Sequence, residues 1–131
     1  MPYYSESSKK KLEECHPDIQ RVFRFVILHF DHKVTWGFRG QADQDGAYFS
    51  GNSKVRFPDS KHNKLPSTAI DVAPWPIDWG DERRFIFLAG FILGVAATMG
   101  IPLRWGGDWD SDTEVKDNEF NDYGHFELGE G

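Results

Sequence analysis

Apolar residues recur at helical spacing early in the chain and alternate further on. From Ser7 to Phe30 the pattern reads as helix in two pieces, broken at His16-Pro17. In the second piece Ile19, Val22, Phe23, Val26, Ile27 and Phe30 mark a single face. Pro17 suits the first turn of that helix, where a missing N–H is no loss. Lys33 to Phe38 reads as a strand, after which a Gly-, Ser- and Asp-rich pattern takes over from Arg39 to Asn63. That stretch predicts a long loop with room for a short helix, and loops of this length in small domains tend to be functional.

Alternation returns at Thr68 to Ala73. Thr68, Ile70 and Val72 suit a core, while Ser67, Ala69, Asp71 and Ala73 point the other way and predict an open floor around one carboxylate. Asp81 starts a long apolar helix that Gly100 and Pro102 end. Short strands follow at Leu103 to Trp105 and Gly124 to Leu128. The order predicts an α+β fold, a small antiparallel sheet with helices packed to one side, in a single domain over 1–131.

The fifteen uncharged residues from Phe85 to Met99 are short of the roughly 20 that a bilayer span needs. They predict a helix buried on nearly all sides, with Gly90 and Gly94 letting another element approach, and no membrane insertion. The opening M-P-Y-Y-S-E-S-S-K-K-K has no apolar run behind its charges, so no signal peptide is expected. A net charge of −6 argues against a general nucleic-acid binder, which needs a basic face. Lys9-Lys10-Lys11 reads as a solvated helix start, and the lone Cys15 as a buried thiol with no disulfide partner.

Candidate chemistry lies in S-K-H-N-K-L-P-S-T-A-I-D-V-A-P and N-D-Y-G-H-F-E-L. His62, Asp71 and His125 offer two imidazoles and a carboxylate, the donor mix of a catalytic zinc site with three protein ligands. Two ligands would hold the ion poorly against water, and a fourth would close the reactive position. Taken alone, two histidines and an aspartate are commonplace in a chain of this size. Strand alternation puts His125 and Glu127 on one face, which makes Glu127 a rival base or a partner of a ligand histidine. Asp122 would point away unless Gly124 permits a bulge.

The series S-x-H, S-x-A-x-D, R-W-G-G-D-W and D-x-G-H-F-E-L resembles the zinc peptidases that include D-Ala-D-Ala carboxypeptidases and phage L-alanyl-D-glutamate endopeptidases, over about residues 16–128. The phage endolysin branch is the nearer, on P-S-T-A-I-D-V-A-P-W-P-I-D-W and R-W-G-G-D-W. The resemblance implies a fold shared with those peptidases and with hedgehog domains, one Zn²⁺ on His62, Asp71 and His125, and Asp122 as general base. It implies that Arg39, with Gly37 and Gln44 from a G-x-R-x-x-x-x-Q element, contacts the substrate or the developing oxyanion. Gln44, Ser60 and Trp105 are the expected substrate-binding residues. Many members space the first two ligands as H-x6-D; here eight residues intervene, the extra pair falling in the Asn63 to Pro66 turn.

The function so implied is cleavage of the L-Ala–D-Glu bond of peptidoglycan stem peptides by a monomeric endolysin. Such an enzyme is made in the host cytoplasm and reaches the wall through a separate pore. The alternatives are a D-Ala-D-Ala carboxypeptidase on the same scaffold, or a metal-stabilised binding module whose catalysis has lapsed. Three other features have plainer readings. His29 and His32 in H-F-D-H suit capping or exposed roles at a helix end. Trp75, Trp79 and Trp109 read as core or hinge aromatics. Asp108, Asp110 and Asp112 with Glu119 at position twelve have the spacing of a Ca²⁺ loop, but Thr113 stands where that loop needs Gly, which favours a solvated acidic segment.

Overall fold

A computed structural model describes residues 2–108, 111 and 122–129. The chain runs through α1 (Glu6–Glu13), α2 (Pro17–Val26), β1 (His32–Trp36), α3 (Gln41–Phe49), a 3-10 turn (Lys61–Asn63), β2 (Ala69–Pro74), α4 (Glu82–Thr98), β3 (Leu103–Gly106) and β4 (Asp122–Leu128). The four strands form one antiparallel sheet in the order β1-β2-β4-β3. The expected α+β architecture is therefore present.

Local signals set the helix ends. Ser5 caps α1 by accepting from the Ser8 amide, and Lys10 and Lys11 fall in the last turn, where positive charge complements the helix dipole. The lysine run thus closes a helix rather than opening one. His16 caps α2, its Nδ1 accepting from the Asp18 amide, with Pro17 in the first turn. Asp81 caps α4 through the Arg84 amide, and Gly100 leaves that helix at φ +70°, a conformation that a side chain disfavours.

The core forms between one face of the sheet and α2 with α4. Val34, Ile70, Val72, Trp105 and Phe126 come from the strands, and Ile19, Val22, Phe23, Leu88 and Ile92 from the helices. Phe23 meets Phe126 edge-on at 5.9 Å between ring centres. Burying an aromatic of that size contributes roughly 1.5–3 kcal/mol.

The stretch from Arg39 to Asn63 holds the short helix it left room for, α3, nine residues long, whose buried residue is Gln44. Its pattern is polar because it rests on a hydrogen-bonded amide instead of an apolar face. Three expectations change. The floor around Asp71 is narrower than alternation predicts, since Ala69 and Ala73 are fully buried. Cys15 of the α1–α2 turn and the 3-10 turn cover the start of β2. Helix α4 is not enclosed: Phe87 is 72% exposed, and a Cβ at Gly90 or Gly94 would meet nothing within 4 Å. His32 is buried rather than exposed, bonded to the Tyr4 hydroxyl and the Phe30 carbonyl, and burial pushes its pKa down to about 4. Among the described residues no helix is long and apolar enough to cross a membrane.

Candidate metal centre and active-site cleft

Strand register assembles the centre. Asp71 of β2 pairs with His125 of β4, so their side chains leave the same face side by side. On the other side Trp36 of β1 pairs with Asp71, because a bulge at Thr35 inserts one extra residue after the Val34–Val72 pair. His62 arrives from the 3-10 turn. Ser60 caps that turn by accepting from the His62 amide, and Asn63 reciprocates on the Ser60 amide. Ser60 thus fixes the turn that carries His62, which is a different role from the substrate contact expected of it.

Three donor atoms converge. Asp71 Oδ1 lies 2.9 Å from His125 Nδ1 and 3.2 Å from His62 Nε2, and the two nitrogens are 3.3 Å apart. A tetrahedral ion with bonds of about 2.0–2.1 Å holds its ligand atoms about 3.3 Å apart, so the spacing fits. The far sides of both rings are committed. The Gly37 carbonyl can only accept, so His62 Nδ1 carries a proton toward it at 2.8 Å. Glu127 Oε1 likewise accepts from His125 Nε2 at 2.9 Å. Each ring therefore turns its inner nitrogen toward Asp71, where it can offer a lone pair to an ion once any proton there has left, as metal-binding histidines held by an outer partner do. Among the described residues this is the group of His, Cys, Asp and Glu side chains placed to hold a metal ion.

Charge in the centre is strongly coupled. Burial pushes Asp71 upward, but the positive charges and hydrogen bonds of His62 and His125 outweigh it and hold the carboxylate well below its usual range. Burial likewise works against a charged His125. Its hydrogen bonds to Asp71 and Glu127, with the charges of Asp71 and Asp122, nevertheless raise it to about 10. Without a cation the centre recruits a proton. Burial also pushes Glu127 upward, yet its bonds to His125 and Lys61 dominate and bring it down to about 2. Lys61 Nζ at 3.0 Å and Arg104 at 2.7 Å both reach Glu127 Oε2.

The centre opens on a cleft of about 530 Å³ lined by Trp36, Arg39, Asp71, Trp79 and Asp122 among others. Asp122 reaches it through an irregularity: Trp105 pairs with Phe126, but the next residue, Gly106, pairs with Asp122. Close backbone contacts enforce that path, since a Cβ at Gly106 would sit 2.1 Å from the Asp122 carbonyl oxygen. A Cβ at Gly124 would sit 2.5 Å from that of Val72. Burial, reinforced by the negative charge of Asp71, raises Asp122 to about 6, although His125, His62 and Arg39 oppose the shift.

Other expected residues are placed differently. Arg39 lines the cleft, but its guanidinium is engaged with Asp71 Oδ2 at 3.1 Å and lies 4.7 Å over the Trp36 ring. Gln44 is fully buried, accepts from Arg39 and donates to the Val55 carbonyl, so it braces Arg39. Trp105 is 5% exposed, belongs to the core and donates to the Tyr123 carbonyl. Trp79, by contrast, is 67% exposed on the cleft wall. Sequence reasoning missed Trp79; its only local signal is the Pro-rich turn P-W-P-I-D-W that carries it. Of the spacing for a Ca²⁺ loop, Asp110, Asp112 and Glu119 lie outside the described residues, as does Trp109.

Three comparisons bear on this arrangement. The family model described as phage L-alanyl-D-glutamate peptidase matches residues 2–129. The L-alanyl-D-glutamate peptidase of Escherichia phage T5 is 31% identical over 134 aligned residues, covering 95% of this chain and 96% of that protein. The crystal structure of the Serratia marcescens L-Ala D-Glu endopeptidase ChiX superposes with a TM-score of 0.75 at 26% identity, covering 98% of this chain and 91% of that one.

Proposed function

The chain belongs to the phage L-alanyl-D-glutamate peptidase family, and from that premise we propose that it is a zinc peptidase cutting the L-Ala–D-Glu bond of peptidoglycan stem peptides. The observation that carries the reading is the convergence of His62 Nε2, Asp71 Oδ1 and His125 Nδ1, with both outer ring nitrogens already committed.

His62, Asp71 and His125 hold the ion, and their nitrogen and carboxylate donors match what zinc takes. Bound there, zinc supplies Lewis acidity to the scissile carbonyl and lowers the pKa of water. Arg39 occupies one Asp71 oxygen, which leaves the other for the ion. Its fixed positive charge on the cleft wall suits the developing oxyanion or a substrate carboxylate. Asp122 is the general base: it takes a proton from the attacking water and returns it to the leaving amine. A carboxyl raised to about 6 sits close to the operating pH, as acid–base exchange requires, and a nearby cation draws it further toward the ionised form. Glu127 cannot fill that role, because His125, Lys61 and Arg104 occupy its oxygens.

The test is Asp122→Ala. It should retain one zinc per chain by elemental analysis while cleavage of a stem peptide falls by about 10²- to 10⁴-fold. Unchanged cleavage would remove Asp122 from the mechanism, and loss of zinc would make it a structural residue.

A further inference from the structure

Trp79 combines three properties that a packing residue does not need. It is 67% exposed and lines the cleft beside Asp71 and Asp122. One face of its indole stacks on Phe85, with ring centres 5.6 Å apart and planes 25° apart. The turn beneath it is clamped: Arg84 donates to the Trp75 and Pro76 carbonyls at 2.8 and 2.9 Å. Asp78 adds a side-chain bond to the Gly80 amide and a carbonyl bond from Asp81. The ring is therefore held in place with its other face open, at the cost of leaving apolar surface in water.

We propose that Trp79 is a stacking platform for the amino-sugar ring that carries the stem peptide, and so a specificity-determining residue for this substrate. The inference rests on the reading of the chain as an L-Ala–D-Glu peptidase. Near that bond the stem consists of L-Ala, D-Glu, a diamino acid and D-Ala, none of which has a ring. The ring next to the scissile bond is the N-acetylmuramic acid whose lactyl group is amide-linked to L-Ala. Its C–H face suits an open indole. Asn52 and Thr35 line the same cleft; the Thr35 hydroxyl donates to the Asp71 carbonyl at 3.2 Å and keeps its capacity to accept, and a side-chain amide such as that of Asn52 is of the kind that meets hydroxyl and acetamido groups.

Two measurements test it with the zinc-loaded full chain. The first compares kcat/KM for N-acetylmuramyl tetrapeptide and for the same free tetrapeptide, in wild type, Trp79→Ala and Trp79→Phe. The wild type prefers the muramyl substrate, and Trp79→Ala narrows that preference by roughly five- to tenfold, chiefly through KM, with Trp79→Phe recovering part of it. An unchanged ratio, or no wild-type preference, overturns the platform. The second is independent of turnover: NMR titration with the N-acetylglucosamine–N-acetylmuramic acid disaccharide shifts the Trp79 indole resonance, and Trp79→Ala weakens binding. No binding, or equal binding by both proteins, overturns the platform. Saccharide binding without cleavage of either peptide would uphold it and sink the peptidase reading instead.

Discussion

Glu127 Oε1 accepts the Nε2 proton of His125 at 2.9 Å, and this bond decides which nitrogen His125 turns toward Asp71. The carboxylate is itself fixed by Lys61 and Arg104, so the ring is oriented by a charged chain that runs away from the cleft. Glu127→Ala should leave the fold intact and weaken zinc binding by about 10- to 100-fold, the usual effect of removing such an outer partner. Competition against a chromogenic chelator measures this directly. Wild-type affinity in the variant would mean that the bond does not orient the ligand.

On the proposed assignment, zinc and a proton compete for His125. In the metal-free protein this group is raised to about 10, so it is charged at pH 7, whereas a ligand must be neutral. Zinc binding at pH 7 should therefore release about one proton, and affinity should rise roughly tenfold per pH unit until pH approaches about 10. Calorimetry in buffers of different ionisation enthalpy counts the protons. The sign for stability follows from the same shift. With a folded value above the unfolded one of about 6.5, the metal-free protein holds this contribution in full below about pH 6.5 and loses it as pH rises through about 10. Uptake without proton release would contradict the assignment.

Gly37 sits where no side chain fits. A Cβ there would lie 2.2 Å from the Lys11 carbonyl oxygen, and the Gly37 carbonyl is the acceptor that orients His62. Gly37→Ala should cost about 1–3 kcal/mol through overpacking and lower zinc affinity at the same time. Thermal melts with and without zinc separate the effects. Equal melting temperatures in the metal-free proteins would show that the α1–β1 approach relaxes freely.

Much of this architecture is legible in the sequence because it rests on periodic apolar faces. Ile19, Val22, Phe23 and Val26 announce α2, and Ile70 with Val72 announces β2. The three donor residues are legible through their motifs, and the sheet register brings Asp71 opposite His125. The place of helix α3 within its long polar stretch is hidden because it packs through Gln44, a polar residue whose burial depends on partners up to nineteen positions away, at Asn63. Two tryptophans lie where their sequence context does not put them: Trp105 is in the core and Trp79 on the cleft wall. Indole carries no local sign of which face will be covered, and only the packing of Phe85 and the Arg84 clamp settles it. The route of Asp122 into the cleft depends on the backbone contacts of Gly106 and Gly124, which strand alternation does not encode.

The central claim is zinc-dependent cleavage of one particular bond, and fragment analysis addresses both halves at once. Purified peptidoglycan should be digested with the protein, with and without a chelator, and the products identified by mass spectrometry. Stem peptides beginning at D-Glu, absent with chelator and restored by zinc, are the predicted result. Release of terminal D-Ala alone, or an intact stem despite bound zinc, would contradict it.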